Sequence, residues 1–407
     1  MSGRLPLEGL RVVDFCWIGA GSYATKILAD MGADVIKVES IARLDSLRMG
    51  APYKDGKAGV NRSGYFADRN SSKRSITINM KHPRALEMVR RLIVQSDIVA
   101  NNFTPGVMDK FGLGYAAVKA MKEDIIYLAM SMLGAEGPER NYLGYGAGIN
   151  GLTGLLYLTG LPGRDPSGSG TNYPDHIPNP CHAAFAVLAA LRHRRRTGRG
   201  QYIDLAQLEP TVALLGPTLL DLTVNGRNHE CSGNDHAWAA PHGVYPCTGT
   251  DRWIAIAAMT DAHWAAVVEG LGSPAWAADA RWTTLVSRRR DRHELDRLIA
   301  GETAGREAEA LMHALQVRGV PAGVVQNAED VIKRDPQFAH RGHWVKLNHA
   351  EMGETLYNAP PYRFSETPVG LRRPAPLLGE HTREVCTSLL GLTGAEIDAL
   401  AVDELFK

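Results

Sequence analysis

Two periods of apolar and polar residues alternate along the first 135 positions of the chain. LRVVDF (10–15) carries adjacent apolar residues at Val12 and Val13, as expected of a strand covered on both faces. YATKILADMG (23–32) shifts to helical spacing and closes on Gly32, a residue suited to a helix C-terminus. ADVIKVE (33–39) again groups β-branched residues, Val35, Ile36 and Val38, so the three segments predict a β-α-β unit and a parallel sheet. SITINM (75–80) reads as a strand and RALEMVRRLIVQS (84–96) as a helix with Pro83 at its first turn. DIVANNF (97–103) and IIYLAMSML (125–133) are two further strands. The pattern predicts an α/β fold with a doubly wound parallel sheet.

The character changes at 134–180, which is rich in Gly, Pro, Tyr and Asn, the composition of functional loops. A long Ala-rich helix, CHAAFAVLAALRHRRR (181–196), follows, then a strand at QYIDL. Residues 225–242 read as a linker, and GVYPCTGTDRWIAIAAM (243–259) as a hairpin around Thr-Gly-Thr-Asp. Helical material continues to about 335, and a Pro-rich extended segment precedes the last helices. The expected organisation is a large Rossmann-like domain over 1–224, an inserted smaller α+β domain over 225–335, and a return segment over 336–407.

Composition narrows the class. Of 407 residues, 44% are hydrophobic and 22% charged, and the net charge is +1, which points to neither nucleic acid nor an anionic membrane. The run from Arg192 to Arg196 sits at a helix C-terminus, where cations favour the dipole, and lacks aromatic interleaving. Cys16, Cys181, Cys231, Cys247 and Cys386 are scattered and odd in number, which argues against a zinc site or a disulfide framework and for a reducing, cytoplasmic setting. No window approaches the roughly 18 apolar residues of a membrane span, and the N-terminal residues show no secretory pattern.

One motif invites a cofactor. Gly19-x-Gly21-x-x-Ala24, followed by a helix and by Glu39, imitates a dinucleotide fingerprint. Asp14 weakens that reading: a carboxylate inside the strand is costly to bury, so the strand should end there. CWIGAGS is then expected to form a loop up to the helix. Backbone N–H groups at such a helix start could still meet a phosphate or carboxylate.

Several stretches, in order, resemble family III CoA-transferases, the group that includes formyl-CoA, carnitine and benzylsuccinate CoA-transferases. They are LEGLRVVDF, LADMGADVIKVE, NSSKRSITINMKHP, NNFTPGVMDKFGLGY, HAAFAVLAALRHRRRTGRGQYIDLAQLE and APLLGEHTREV. The resemblance spans about residues 7–400. It implies a large domain built from both chain ends, an inserted small domain, and two subunits interlocked like rings, as a homodimer or as a heteromer with a related chain. It implies CoA thioesters as substrates and no tightly bound cofactor or metal.

By the same resemblance, Asp175 in NYPDHIPNP is the catalytic carboxylate, forming anhydride and thioester intermediates in turn. On residue type alone, an Asp ahead of a helix is more readily a cap. Oxyanion or substrate contacts would come from the glycine-rich run containing Tyr145 and Gly146, and from the Pro241-His242-Gly243 turn. The CoA site would comprise Gly19 and Ala20, then Lys73, Arg74, Ile78 and Lys81 around the SITINM strand, then Asn102, Phe103, Thr104 and Lys110. Ser40 stands where formyl-CoA transferases have an Arg, and Arg43 or Arg48 could replace it.

Three alternatives carry their own signatures. An α-methylacyl-CoA racemase of the same fold would need a His-Asp pair at the positions of Tyr145 and Gly146, and both are missing. A non-catalytic partner subunit would lack Asp175. A dehydrogenase would bind a nicotinamide. The forms around Asp175 and His242 resemble the benzylsuccinate and dicarboxylate branch, which implies succinyl-CoA as donor and a substituted dicarboxylate as acceptor.

Overall fold

The computed structural model describes residues 4–407, which divide into two compact units. The first unit runs to Leu156, resumes over Gly168–Asn228 and is completed by Ala339–Lys407. Its sheet contains β1 (Arg11–Asp14), β2 (Asp34–Glu39), β3 (Arg74–Thr77), β4 (Ile98–Asn101), β5 (Ile126–Ala129) and β6 (Gln201–Asp204) in the order 3-2-1-4-5-6. Every pairing is parallel. The order reverses between β1 and β4, the switch point where sheets of this kind place ligands.

The apolar runs are explained by burial on both sides. Successive side chains of a strand point to opposite faces. Val13, Ile36, Ile76 and Val99 enter one core with Met88 and Leu92 of α3 (Ala85–Val94). Val12, Val35, Ile98 and Ile126 enter the other, against α1 (Ile18–Asp30) and α8 (Pro178–Thr197). Small residues let these two helices approach closely: Ala20 and Ala24 on α1, Ala183, Ala184 and Ala190 on α8. The chain's end closes the first core, through Val385, Ile397 and Leu400 of the helices Thr382–Ser388 and Gly394–Val402.

Between α1 and α8 lie α2 (Gly64–Asn70), α4 (Val107–Lys110), α5 (Tyr115–Met121), α6 (Gly146–Leu152) and α7 (Tyr173–His176). After β6 come α9 (Leu208–Ala213) and α10 (Gly216–Asn225). No residue of α10 is buried, and Leu219, Leu220, Leu222 and Val224 stand exposed.

The second unit comprises Tyr157–Ser167 and His229–Phe338. A three-stranded antiparallel sheet, β7 (His242–Pro246), β8 (Trp253–Ala257) and β9 (Ala322–Val324), packs Tyr245, Ile254 and Ile256 on Trp264, Trp282 and Leu295. Residues 157–167 join this unit because their backbone is bonded there. Gly233 N–H donates to the Gly160 carbonyl (3.0 Å), and the Cys231 thiol to that of Leu161 (3.2 Å).

Two expectations need correction. The glycine stretch is not a loop: α1 begins at Ile18, five residues before the predicted start, so Gly19 and Gly21 lie inside it. Pro241-His242-Gly243 is not a turn either, since His242 and Gly243 open β7 and pair with Ala257 and Ile256. β1 does end at Asp14, whose burial is offset by Lys73 (Nζ–Oδ2 3.0 Å), Thr25 Oγ1 (2.7 Å) and the Cys16 N–H (2.9 Å).

Candidate active site

Asp175 lies on the single turn of α7, which Pro174 helps to start. Ile177 breaks the helical path, and Pro178 and Pro180 restart it as α8. Asp175 caps neither helix: the N-cap positions are Asn172 and Ile177, and neither makes a side-chain cap bond. Its N–H is bonded to the Asn172 carbonyl (3.0 Å), and the residue is 4% exposed.

Two glycines make room for its side chain. A Cβ on Gly19 would stand 2.8 Å from the Cβ of Asp175, and one on Gly146 would stand 2.7 Å from its Oδ2. Both glycines lie in the first turns of their helices, α1 and α6. The Gly146 N–H, one of the helix-start donors left without an intrahelical partner, bonds to the carboxylate.

The entry into α1 is strained. Ile18 has φ +59, a conformation that a β-branched residue adopts at a cost of about 1–3 kcal/mol. Its neighbours hold it there. The Trp17 N–H donates to Asn102 Oδ1 (2.8 Å), and Asn102 Nδ2 returns a bond to the Trp17 carbonyl (2.7 Å). The Ile18 N–H donates to Asp45 Oδ1 (3.1 Å), and Asp45 is itself paired with the buried Lys37 (3.0 Å).

Burial pushes the Asp175 carboxyl up to about 6, while the Gly146 N–H and the Arg69 cation pull it down. Arg69, from α2, was not foreseen in the sequence. Its guanidinium lies over the Tyr23 ring (4.5 Å) and beside Tyr65 (5.8 Å), pairs with Asp68 (2.6 Å) and reaches His176 Nδ1 (2.9 Å). Tyr65 meets the His176 ring edge-on at 6.0 Å. The one local signal was the i,i+4 spacing of Tyr65 and Arg69 on a short helix.

The other expected residues divide into groups. Gly19 and Ala20 lie in the first turn of α1, and Gly19 faces Asp175. Asn102 and Phe103 sit at the end of β4 beside Trp17, with Phe103 edge-on to it (5.6 Å). The Arg43 guanidinium lies over the Trp17 ring itself (5.3 Å). Thr104 follows and accepts at its carbonyl from Val107, while Lys110 and Lys81 are exposed. Ile78 is buried in the first core. Tyr145 precedes α6 with its side chain 66% exposed. His242 and Gly243 belong to the second unit, where His242 Nδ1 bonds to the Asn234 carbonyl (2.6 Å) and its ring stacks on His236 (4.9 Å).

Lys73 and Arg74 differ from expectation. Lys73 Nζ is fully buried and bonded to Asp14, Thr25, Asn70 and the Ser22 carbonyl, which leaves no donor facing a phosphate. Arg74 is paired with Asp34 and Glu384. Arg48 is likewise consumed, gripping both oxygens of Glu39 (2.8 and 2.7 Å). Glu39 is therefore closed to a ribose, and Gly19 and Gly21 are filled around by Asp175, Cys16 and Asn102. The dinucleotide pattern is thus accounted for by packing. Among the described residues, no group of three His, Cys, Asp or Glu could hold a metal, and no helix is long and apolar enough to cross a membrane.

Comparison with known proteins places this geometry in context. The family model described as CoA-transferase family III matches residues 7–382. The chain is 33% identical to succinyl-CoA–D-citramalate CoA-transferase of Chloroflexus aurantiacus, over 97% of this chain and 96% of that protein. It is 34% identical to succinate–glutarate CoA-transferase of Agrobacterium fabrum, over 94% and 96%. The crystal structure of a CaiB/BaiF family protein from Brucella suis superposes with a TM-score of 0.87 at 32% identity, covering 95% of this chain and all of that one.

Proposed function

The chain belongs to CoA-transferase family III, and on that premise we propose that it moves CoA from succinyl-CoA to a dicarboxylic acid, with Asp175 as the covalent relay. The observation that carries this reading is a carboxylate walled in by Gly19 and Gly146, with a pKa raised to about 6 by burial. Such a group is mostly ionised at pH 7, yet sparingly solvated, which suits a nucleophile.

The steps follow from that role. The Asp175 carboxylate attacks the succinyl thioester carbonyl, and CoA leaves as thiolate with a mixed anhydride formed. The thiolate attacks the aspartyl carbonyl, which releases succinate and leaves an aspartyl-CoA thioester. The acceptor carboxylate displaces the thiolate to give a second anhydride. The thiolate then attacks the acceptor carbonyl, and the Asp175 carboxylate is regenerated. Each addition builds an oxyanion next to the first turn of α1, where the Gly19 and Ala20 amides are fixed donors.

For the CoA phosphates we assign the exposed cations Lys81, Lys110 and Arg43, in place of Lys73, Arg74 and Arg48. Asn102, Phe103 and Thr104 would border the path between them and Asp175. The acceptor acids named for the relatives above, citramalate and glutarate, are aliphatic. We therefore favour an aliphatic dicarboxylate over benzylsuccinate. The exposed apolar α10 supports assembly with a second, similar chain.

The racemase alternative meets a steric objection. Its acid at position 146 would need side-chain atoms where Asp175 Oδ2 already stands. The test of the transferase reading is mass spectrometry after incubation with succinyl-CoA and hydroxylamine quenching. A modification on Asp175, absent from Asp175→Asn, is expected. An unmodified Asp175 in a protein that consumes succinyl-CoA would sink the covalent mechanism.

A further inference from the structure

Beside Asp175 stands a histidine whose protonation pattern is set by its partner. Arg69 Nη2 lies 2.9 Å from His176 Nδ1. A guanidinium has only donors, so Nδ1 must accept. The imidazole then carries its single proton on Nε2, and a second proton on Nδ1 would point at a cation. Arg69 cannot easily turn away. Tyr23 and Tyr65 flank it, and Asp68 holds its other arm, while Asp68 is itself held by Asn358 Nδ2 (2.6 Å). His176 is half-buried and next in sequence to Asp175 on the same turn.

We propose that Arg69 and His176 form a fixed pair in which Arg69 is a positioning residue and His176 Nε2–H is a neutral hydrogen-bond donor to the acid that reacts at Asp175. This rests on the transferase reading above. A neutral donor suits the site because it can bond the substrate carboxylate without forming an ion pair with Asp175, the nucleophile. Arg69 is then the one cation of the pair, and Asp68 balances its charge.

The first test is the tautomer, read in the intact protein labelled with 15N-histidine at pH 7. His176, assigned by its loss in His176→Gln, is expected to show an unprotonated Nδ1 and a protonated Nε2. Arg69→Met is expected to abolish that preference. The opposite tautomer in the native protein would overturn the proposal. The second test is kinetic. His176→Asn carries its N–H near the Nδ1 position, and about a 10- to 100-fold loss of kcat/KM for the acceptor acid is expected, the worth of one bond to a charged group. His176→Gln reaches the Nε2 position and should recover activity to within about threefold. If the Asp175 adduct forms and His176→Asn is as fast as the native enzyme, this proposal fails alone. If succinyl-CoA is consumed and no adduct forms, the transferase reading fails and the donor role of His176 falls with it, whatever the tautomer.

Discussion

Gly19 and Asp175, far apart in sequence, are packed so closely that a methyl group on Gly19 would come within 2.8 Å of the Asp175 Cβ. The glycine is needed for the space it leaves, and helix propensity argues the other way. Gly→Ala inside a helix ordinarily gains about 1 kcal/mol, but here the added carbon meets the stem of Asp175, the proposed nucleophile. Gly19→Ala is expected to fold and to lose at least about 100-fold in kcat/KM, because small misplacements of a reacting group are costly. Steady-state kinetics with circular dichroism would check this, and an active Gly19→Ala would refute the packing argument.

Asp175 should also set the pH profile. Its carboxyl is raised from 3.8 to about 6 by burial. In the proposed mechanism the reactive form is the carboxylate, so kcat/KM should fall about tenfold per pH unit below 6 and level off above it. Initial rates from pH 4.5 to 8 at subsaturating succinyl-CoA would show the limb. A flat profile through pH 6 would count against Asp175 as nucleophile.

The same shift predicts a stability effect. Because the folded state holds the Asp175 proton more tightly than the unfolded chain does, this contribution is whole below pH 3.8 and is lost as pH rises through 6. Asp175→Asn removes the charge, so it should be more stable than the native protein at pH 7, by up to about 3 kcal/mol. Near pH 4 the difference should vanish. Thermal unfolding at the two pH values reads it directly.

Lys73 and Lys81 should behave oppositely. Lys73→Met leaves Asp14 buried without its cation, and a loss of about 3–5 kcal/mol in stability is expected. Adding Asp14→Asn should recover part of it. Lys81→Ala, on the surface, should leave the melting temperature unchanged and raise KM for the CoA thioester. Urea unfolding and substrate kinetics on both variants separate structural from binding cations.

The exposed apolar residues of α10 bear on assembly. Light scattering is expected to give a mass of two chains. Leu220→Arg, placed on a residue 62% exposed, should weaken that state. A native monomer would end the assembly reading.

By itself the sequence determined the strands and the two-faced sheet. Runs such as VV in β1 and VI in β2 send neighbouring residues into opposite cores, and that alternation is a local property of the chain. It also marked the end of β1, since Asp14 could not lie in an apolar strand interior without a counterion. Asp175 emerged only through family resemblance, because an Asp ahead of a helix reads first as a cap. What the tertiary structure alone decided was which charges face each other and which backbones touch. Lys73 became the partner of Asp14, Arg48 that of Glu39, and Arg69 that of His176. The glycine motif became the wall of a carboxylate site. The physical reason is range. Burial periodicity is written residue by residue, whereas ion pairing and close approach depend on segments that folding alone brings together.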